Sequence, residues 1–122
     1  MLTAKRDILI EWGDCDPAGI VFYPRYFAWF DACTAGLFAH AGIPKPQMLQ
    51  QYGIVGIPMV DTRAKFIVPS KFGDRVTVET RITEFRRSSF DVEHRLMKGD
   101  VLAIEAFETR VWVPVLDRKS VV

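Results

Sequence analysis

The sequence contains few of the residues from which metal sites and disulfide frameworks are built. Its 122 residues include two cysteines and two histidines, and the cysteines, Cys15 and Cys33, lack CxxC spacing. A structural zinc site needs a cluster of such ligands, and a redox pair needs closely spaced thiols. We therefore expect no metal, and we expect both thiols to be reduced.

Long apolar runs and an excess of charge of one sign are also absent. The formal net charge of +1 provides no basic field for nucleic acid. No apolar run approaches the roughly 20 residues of a membrane span, and the N-terminal apolar stretch is too interrupted for a signal peptide. The length and the composition, 49% hydrophobic and 25% charged, predict one globular domain over residues 1–122. Because the sequence shows no export signal, we expect this domain in the cytoplasm.

The motifs of several common catalytic sites are missing as well. The sequence has no GxSxG elbow of a serine hydrolase, no glycine-rich phosphate loop and no HExxH pair. His40 and His94 fall near a predicted helix end and in the middle of a predicted strand, where we expect structural roles. Carboxylates remain as the candidate reactive groups.

Hydrophobic periodicity predicts one long helix and an antiparallel sheet. Pro24 and Gly42 frame the helix, whose apolar residues cover most of its circumference and predict burial on all sides. Alternation predicts a strand over 5–12 and further strands after residue 56, with a tight turn at 98–100. The elements predict an α+β domain in which a meandering sheet curls around the helix. Because its edge strands need pairing, we also expect a homodimer or larger oligomer.

The segment 11–27, EWGDCDPAGIVFYPRYF, leads into the helix through an unusual entrance. Tyr23 stands immediately before Pro24, so no side chain is expected to cap the first-turn amides. Free amides at the positive end of a helix attract an anion or a polarised carbonyl oxygen. A carboxylate from the preceding loop can then act as nucleophile or base beside an oxyanion hole.

Asp16 is the first candidate for that carboxylate, and Asp14 is the second. An aspartate in an Asp-Pro pair often only accepts a hydrogen bond from the backbone of its own turn, and this alternative for Asp16 stays open. Asp14 is harder to place on the alternating pattern, and we interpret it as a turn or structural residue.

These residues carry a resemblance to a known family. The stretch GDCDPAGIVFYPRYFAWFDA, with GIVGIP at 53–58 and EFRRSSF at 84–90, resembles the 4-hydroxybenzoyl-CoA thioesterase family of hotdog-fold thioesterases, in its Asp-dependent type. The resemblance implies a long central helix wrapped by a curved antiparallel sheet of five to six strands. It also implies hydrolysis of an acyl-CoA thioester, with an aromatic acyl group favoured.

The resemblance assigns roles to matching positions. Asp16 matches the catalytic carboxylate, and the backbone N–H of Tyr23 matches the oxyanion donor. Asp31, supplied by the neighbouring subunit, matches an aspartate that accepts the ring hydroxyl of the substrate. No cofactor is implied, because CoA is part of the substrate, and we expect at least a homodimer and favour a homotetramer built as a dimer of dimers.

Asp31 is also unusual on the residues alone. It lies among aromatic residues on a helix predicted to be buried, where an unpaired carboxylate is costly. Its ordinary alternatives are an exposed break in the apolar surface or a pair with an arginine such as Arg25. A phenolic hydroxyl could also donate a hydrogen bond to the Asp31 carboxylate.

The remaining candidates concern the rest of the thioester. By resemblance, the acyl–pantetheine channel is lined by Ile57, Pro58 and Met59, with main-chain groups available to pantetheine. Arg86, Arg87 and Ser88 match a basic Arg-Arg-Lys cluster that holds the CoA phosphates, and serine in the lysine position predicts weaker affinity. On an ordinary interpretation, Ile57, Pro58 and Met59 only form the entry to a buried strand. Arg86 and Arg87 are then solvated residues at a strand junction.

Other functions remain open from the sequence. A thioesterase for short aliphatic or branched acyl-CoA would leave Asp31 without a hydrogen-bond donor. A hydratase or dehydratase of this fold normally uses a histidine in its site, and neither histidine lies at the helix entrance. A non-catalytic acyl-CoA-binding domain would not need a carboxylate beside the thioester.

Overall fold

The computed structural model describes residues 2–114. Its helices are α1 (Pro24–His40) and α2 (Lys45–Gln51), and a short 3-10 turn covers Trp12–Asp14. The strands are β1 (Thr3–Leu9), β2 (Ile54–Gly56), β3 (Met59–Phe66), β4 (Arg75–Phe85), β5 (Ser89–Lys98), β6 (Val101–Val111) and β7 (Val113–Pro114). A five-stranded antiparallel sheet against one long helix confirms the predicted α+β hotdog architecture. Neither helix of the described part is long and apolar enough to cross a membrane.

The middle of the sheet follows the predicted meander, but one edge does not. The order is β1-β4-β5-β6-β3, and β2 pairs separately with β7. The predicted turn between β5 and β6 is confirmed, with Gly99 at a φ of 61° that favours glycine. The meander is wrong at β3, which pairs with β6 instead of the next strand, β4. Alternation places side chains on a face of the sheet but does not say which strands are neighbours.

Two element boundaries and one whole element differ from the sequence predictions. The predicted strand over 5–12 ends early, at Leu9, because the chain turns through Trp12–Asp14. The predicted helix end at Gly42 is close, since α1 ends at His40 and Gly42 leaves it with a φ of 88°. Helix α2 was not predicted, because seven residues are too few for a clear helical stripe.

Helix α1 packs on the sheet through one face, so the prediction of burial on all sides is wrong. Its buried residues are Tyr26, Phe30, Cys33, Thr34, Leu37 and Phe38. Their spacing of three or four residues forms a single stripe against the inward side chains of β4, β5 and β6. The opposite face exposes small residues, including Ala28, Ala32 and Gly36. These residues raise the apolar count of the helix without requiring a partner surface.

Candidate active site

The loop before α1 is a small hairpin with Asp16 at its tip. Cys15 and Val21 form an antiparallel bridge, and the Asp16 N–H donates to the Ile20 carbonyl at 2.9 Å. The turn closes where the Gly19 N–H donates to the Asp16 carbonyl at 2.9 Å. Gly19 has a φ of 84°, which a side chain would strain. The hairpin therefore holds Asp16 in one backbone conformation.

The carboxylate of Asp16 takes part in this turn with one of its oxygens. Its Oδ1 accepts a hydrogen bond from the Ala18 N–H at 2.8 Å, which is the contact expected of an Asp-Pro turn. No hydrogen bond or ion pair within residues 2–114 reaches Oδ2, and the residue is half-buried. The turn contact and a reactive role use different oxygens, so they are compatible.

The entrance of α1 leaves the Tyr23 backbone amide without an acceptor in the described part of the chain. Tyr23 precedes the helix without a side-chain cap, and Pro24 has no N–H. The expectation that several first-turn amides are free is wrong, because Arg25 and Tyr26 donate to the Phe22 and Tyr23 carbonyls at 2.9 and 3.1 Å. Within the described residues, the Tyr23 N–H has no protein acceptor, and it lies at the positive end of α1. It can donate to an oxygen on which negative charge develops.

Asp14, the second candidate carboxylate, is tied to the same loop at several atoms. Its Oδ2 accepts the Glu11 N–H at 2.9 Å, and its backbone carbonyl accepts the Phe22 N–H at 2.9 Å. Its Oδ1 lies 3.8 Å from the Arg25 Nε. These contacts support the interpretation of Asp14 as a structural residue that shapes the hairpin.

Asp31 is exposed, and the buried environment expected for it is wrong. Its side chain is 64% exposed, and its Oδ1 accepts a hydrogen bond from Arg110 Nη2 at 2.8 Å. The arginine partner is therefore Arg110 and not Arg25. The helical rise separates Asp31 from Tyr23 by about 12 Å along the axis.

A buried polar network, which the sequence did not predict, links Asp31 to the sheet. Arg110, whose side chain is 5% exposed, donates from Nε to Glu108 Oε1 at 2.9 Å and from Nη1 to the Ile57 carbonyl at 3.1 Å. Glu108 Oε2 lies 3.1 Å from His94 Nε2. The available signal was the inward position of these polar residues on β5 and β6.

The end of this polar network farthest from Asp31 is packed between α1 and the sheet. Thr80 Oγ1 lies 2.8 Å from His94 Nδ1, and Thr34 Oγ1 donates to Glu108 Oε1 at 2.8 Å. The Phe30 ring stacks on the imidazole at 4.8 Å between centroids. His94 is thus held in place by contacts on several sides, as expected of a structural histidine.

The charged groups of this polar network stabilise one another. Burial by itself raises the pKa of Glu108, but hydrogen bonds from His94 and Arg110 outweigh it and lower that pKa to about 2. Burial opposes the charge of Arg110, yet Glu108 first and Asp31 second hold the pKa of Arg110 above its usual value. Glu108 and Arg110 are therefore both charged at neutral pH.

The residues predicted to line the acyl channel lie at the start of β3. Ile57 is buried, and its carbonyl is the acceptor for Arg110. The Pro58 carbonyl accepts the Val111 N–H at 3.1 Å, and Met59 is exposed. Two carbonyls expected to be available to pantetheine therefore already accept a protein hydrogen bond, whereas the side chains of Pro58 and Met59 remain accessible.

The residues predicted to bind CoA phosphates lie at the β4–β5 turn and differ in their contacts. Arg86 donates from Nη1 to Asp91 Oδ2 at 2.8 Å and to Glu84 Oε2 at 3.0 Å, so its charge is already paired. Arg87 is exposed, and no ion pair reaches it from residues 2–114. It borders an apolar cavity of about 450 Å³ at the C-terminal end of α1. Ser88 is exposed beside it.

One chain places these groups at opposite ends of β4. The Asp16 hairpin contacts the segment before the strand, where the Val21 N–H donates to the Ser70 carbonyl at 2.9 Å. Arg86 and Arg87 follow the end of the strand, about 35 Å away for its length of 11 residues. A single chain therefore does not bring the predicted catalytic and CoA-binding residues to one place.

The remaining metal-binding residue types do not form a separate site. Cys15 and Cys33 are free thiols, and burial raises the pKa of Cys33. His40 is exposed at the end of α1. Across residues 2–114, no group of three or more His, Cys, Asp or Glu side chains could hold a metal ion.

Comparisons with known proteins give matches over most of the chain. The sequence model of the thioesterase-like superfamily matches residues 10–121. The chain is 43% identical over 109 residues to the 4-hydroxybenzoyl-CoA thioesterase of Pseudomonas sp. (strain CBS-3), which covers 84% of this chain and 77% of that protein.

Two solved structures are similar over almost the whole chain. One is a mutant of a 4-hydroxybenzoyl-CoA thioesterase complexed with 4-hydroxybenzoyl-CoA, with a TM-score of 0.88 and 35% identity over 97% of this chain and 89% of that one. The other is a gentisyl-coenzyme A thioesterase, with a TM-score of 0.83 and 32% identity over 94% of this chain and 93% of that one.

Proposed function

This chain belongs to the thioesterase-like superfamily, and we propose that it hydrolyses an aromatic, 4-hydroxybenzoyl-like acyl-CoA to the free acid and CoA. The observation that carries the proposal is a Tyr23 amide that has no acceptor within residues 2–114, next to the hairpin that presents Asp16. Relatives at 43% and 32% identity are named for 4-hydroxybenzoyl-CoA and gentisyl-CoA. Both acyl groups are hydroxylated aromatic rings, which supports an aromatic substrate.

The proposed chemistry takes place at the entrance of α1. The Tyr23 N–H donates to the thioester oxygen and stabilises the charge that develops there when the carbonyl is attacked. Asp16 acts through Oδ2, either by attacking the carbonyl itself or by taking a proton from an attacking water. Its Oδ1 keeps the contact with Ala18 and orients the carboxylate. In the first route the C–S bond breaks as an acyl–Asp16 anhydride forms, and water then hydrolyses that anhydride to the free acid. In the second route water adds directly, and the proton taken by Asp16 passes to the leaving CoA thiolate. Neither route needs a metal or an organic cofactor.

The acyl group is recognised at two further places in this proposal. A hydroxyl on the ring donates to Asp31 of a second copy, whose carboxylate is exposed. The acyl–pantetheine channel is lined by Ile57, Pro58 and Met59. The accessible side chains of Pro58 and Met59 form the contact, because Ile57 is buried and the Ile57 and Pro58 carbonyls already have hydrogen-bond donors.

The CoA nucleotide binds at the β4–β5 turn in this proposal. Arg87 and Ser88 contact the phosphates, because Arg87 is exposed without an ion pair in the described part of the chain. Arg86 shapes the turn through its pairs with Asp91 and Glu84. A guanidinium suits phosphate because its donors form a planar fork.

The functional unit is a homodimer in this proposal, and a dimer of dimers completes a homotetramer. Strand β3 lies at one edge of the five-stranded sheet and exposes Met59, Val60 and Phe66. Pairing the β3 edges of two copies would satisfy their free backbone groups and cover these side chains. It would also supply the second copy that the separated site residues require.

A panel of thioesters tests the function directly. We expect free-thiol release from 4-hydroxybenzoyl-CoA with a kcat/KM roughly ten-fold or more above that for benzoyl-CoA, because an unmet hydrogen bond to a charged group costs about 1.5–3 kcal/mol. Asp31→Ala should narrow this preference mainly by slowing the hydroxylated ester. Faster release from butyryl-CoA would indicate an aliphatic thioesterase. Tight binding of every ester without thiol release would indicate a non-catalytic acyl-CoA-binding domain.

A further inference from the structure

The guanidinium of Arg110 is held at all three of its nitrogens, and one of its partners, Asp31, is an exposed side chain. Nε donates to Glu108 at 2.9 Å, Nη1 to the Ile57 carbonyl at 3.1 Å and Nη2 to Asp31 at 2.8 Å. Because the group is a rigid planar fork, turning it breaks at least one of these hydrogen bonds. The direction of the contact with Asp31 is therefore set from inside the protein.

The buried end of this arrangement is held equally firmly. Glu108 accepts hydrogen bonds from Thr34 at 2.8 Å and from Arg110, and it lies 3.1 Å from His94. Its side chain is almost fully buried. Helix α1, β5 and β6 each contribute a member, so the network couples the position of Asp31 on the helix to the sheet.

The stability of the fold does not explain the contact between Arg110 and Asp31. Withdrawing the Arg110 charge from water is costly, and Glu108 already offsets that cost from within. The contact with Asp31 lies at a side chain that is 64% exposed, where solvent screens an ion pair and leaves it little stabilising effect. A well-packed apolar residue at this position would avoid the desolvation altogether.

We propose that Arg110 is a positioning residue that sets the orientation of Asp31 for the substrate hydroxyl. The inference rests on the proposed function, which gives Asp31 its place at the ring. Arg110 occupies Oδ1, and Oδ2 has no protein partner within residues 2–114. Oδ2 is then a single acceptor held in one direction toward an acyl group bound by a second copy. An acceptor fixed before binding loses little freedom when the hydroxyl arrives.

The test compares Arg110→Lys with Arg81→Lys as its matched control. Arg81 also pairs with a carboxylate of the same sheet, Glu93 at 3.0 Å, but it has no contact with Asp31. Lysine keeps the charge and cannot donate in three fixed directions. Arg110→Lys should lower the ratio of kcat/KM for 4-hydroxybenzoyl-CoA over benzoyl-CoA by roughly ten-fold, and Arg81→Lys should retain the ratio.

A double-mutant cycle separates positioning from a general structural role. In an Asp31→Ala background, Arg110→Lys should cause no further loss of the hydroxyl preference, because the residue it positions is gone. An equal loss of rate on both esters, or an unchanged preference in Arg110→Lys, overturns the inference. Wild-type protein that releases thiol from neither ester instead overturns the proposed function.

A second variant keeps the test decisive if Arg110→Lys does not fold. Asp31→Glu changes only an exposed side chain and retains the carboxylate, but it moves the oxygens by one methylene. If the orientation set by Arg110 matters, Asp31→Glu should lose most of the hydroxyl preference, as Asp31→Ala does. A preference equal to that of wild type would show that the charge alone suffices, and it would refute the positioning role.

Discussion

Asp16 illustrates how a single carboxylate can shape a turn and still be available for chemistry. Its Oδ1 satisfies the Ala18 N–H, and the hydrogen bonds of Gly19 and Ile20 fix the backbone around it. The turn interpretation of this aspartate and its catalytic interpretation looked like alternatives in the sequence. The geometry assigns the turn contact to one oxygen only, so the two interpretations predict different results for an isosteric mutation.

Replacing Asp16 by asparagine should abolish turnover while the fold persists. The amide oxygen of Asp16→Asn can still accept the Ala18 N–H, but the side chain can neither attack the thioester nor accept a proton. We expect kcat to fall by roughly a hundred-fold or more, with a nearly unchanged melting temperature. Asp14→Asn is the control, and it should lower the melting temperature more than Asp16→Asn does. Near-wild-type turnover in Asp16→Asn would exclude the catalytic assignment.

At the scale of elements, β5 and β6 combine an ordinary alternating pattern with a polar interior. Alternation along these strands puts every second residue on the inner face, and His94, Glu108 and Arg110 lie at such positions. Such residues are tolerated inside only as a connected set, because each isolated polar group would remain unsatisfied. Thr34 of α1 completes the set by donating a hydrogen bond to Glu108. The helix therefore contacts the sheet through this directed hydrogen bond as well as through apolar packing.

The connected set predicts an acid-dependent loss of stability. The pKa of Glu108 is about 2 in the folded chain against a usual 4.5. Its contribution is therefore fully present above pH 4.5 and is lost as the pH falls toward 2, because the unfolded chain takes up the proton first. The lost contribution is on the order of 3 kcal/mol. Urea unfolding between pH 6 and about 2.5 measures it.

Glutamine substitutions supply the control for this pH dependence. Glu108→Gln should be less stable at neutral pH and should have a flatter stability profile in acid, since the shifted carboxyl is gone. Glu105→Gln removes a carboxyl from the same strand on the other face of the sheet, and it should retain the wild-type slope. If the free energy of unfolding changed with pH equally in all three proteins, groups other than Glu108 would cause the acid sensitivity.

At the scale of the whole molecule, the separation of the proposed site residues favours a site shared between chains. Arg87 lies at the far end of β4 from the Asp16 hairpin, about 35 Å away. A dimer can bring a proposed site residue of one copy to the helix entrance of the other. Its symmetry then creates two equivalent sites.

Mixed assemblies of two defective variants should recover activity. Asp16→Asn and Asp31→Ala, unfolded together and refolded at equal concentration, should give about a quarter of wild-type sites, since half the dimers are mixed and each contains one intact pair. The measurement is thiol release from 4-hydroxybenzoyl-CoA, compared with each variant refolded alone. Recovery no greater than the mean of the two variants would mean that both residues act within one chain.

The sequence by itself determined the features that depend on a few neighbouring residues. These are the start of α1 at Pro24, the uncapped Tyr23 and the inward positions of β4, because capping, proline geometry and side-chain alternation are local effects. Only the tertiary structure decided the pairing of Asp31 with Arg110, 79 residues apart, and the place of β3 beside β6. It also decided which face of α1 is buried. Such contacts depend on which distant surfaces meet when the chain closes, and local patterns carry no record of that.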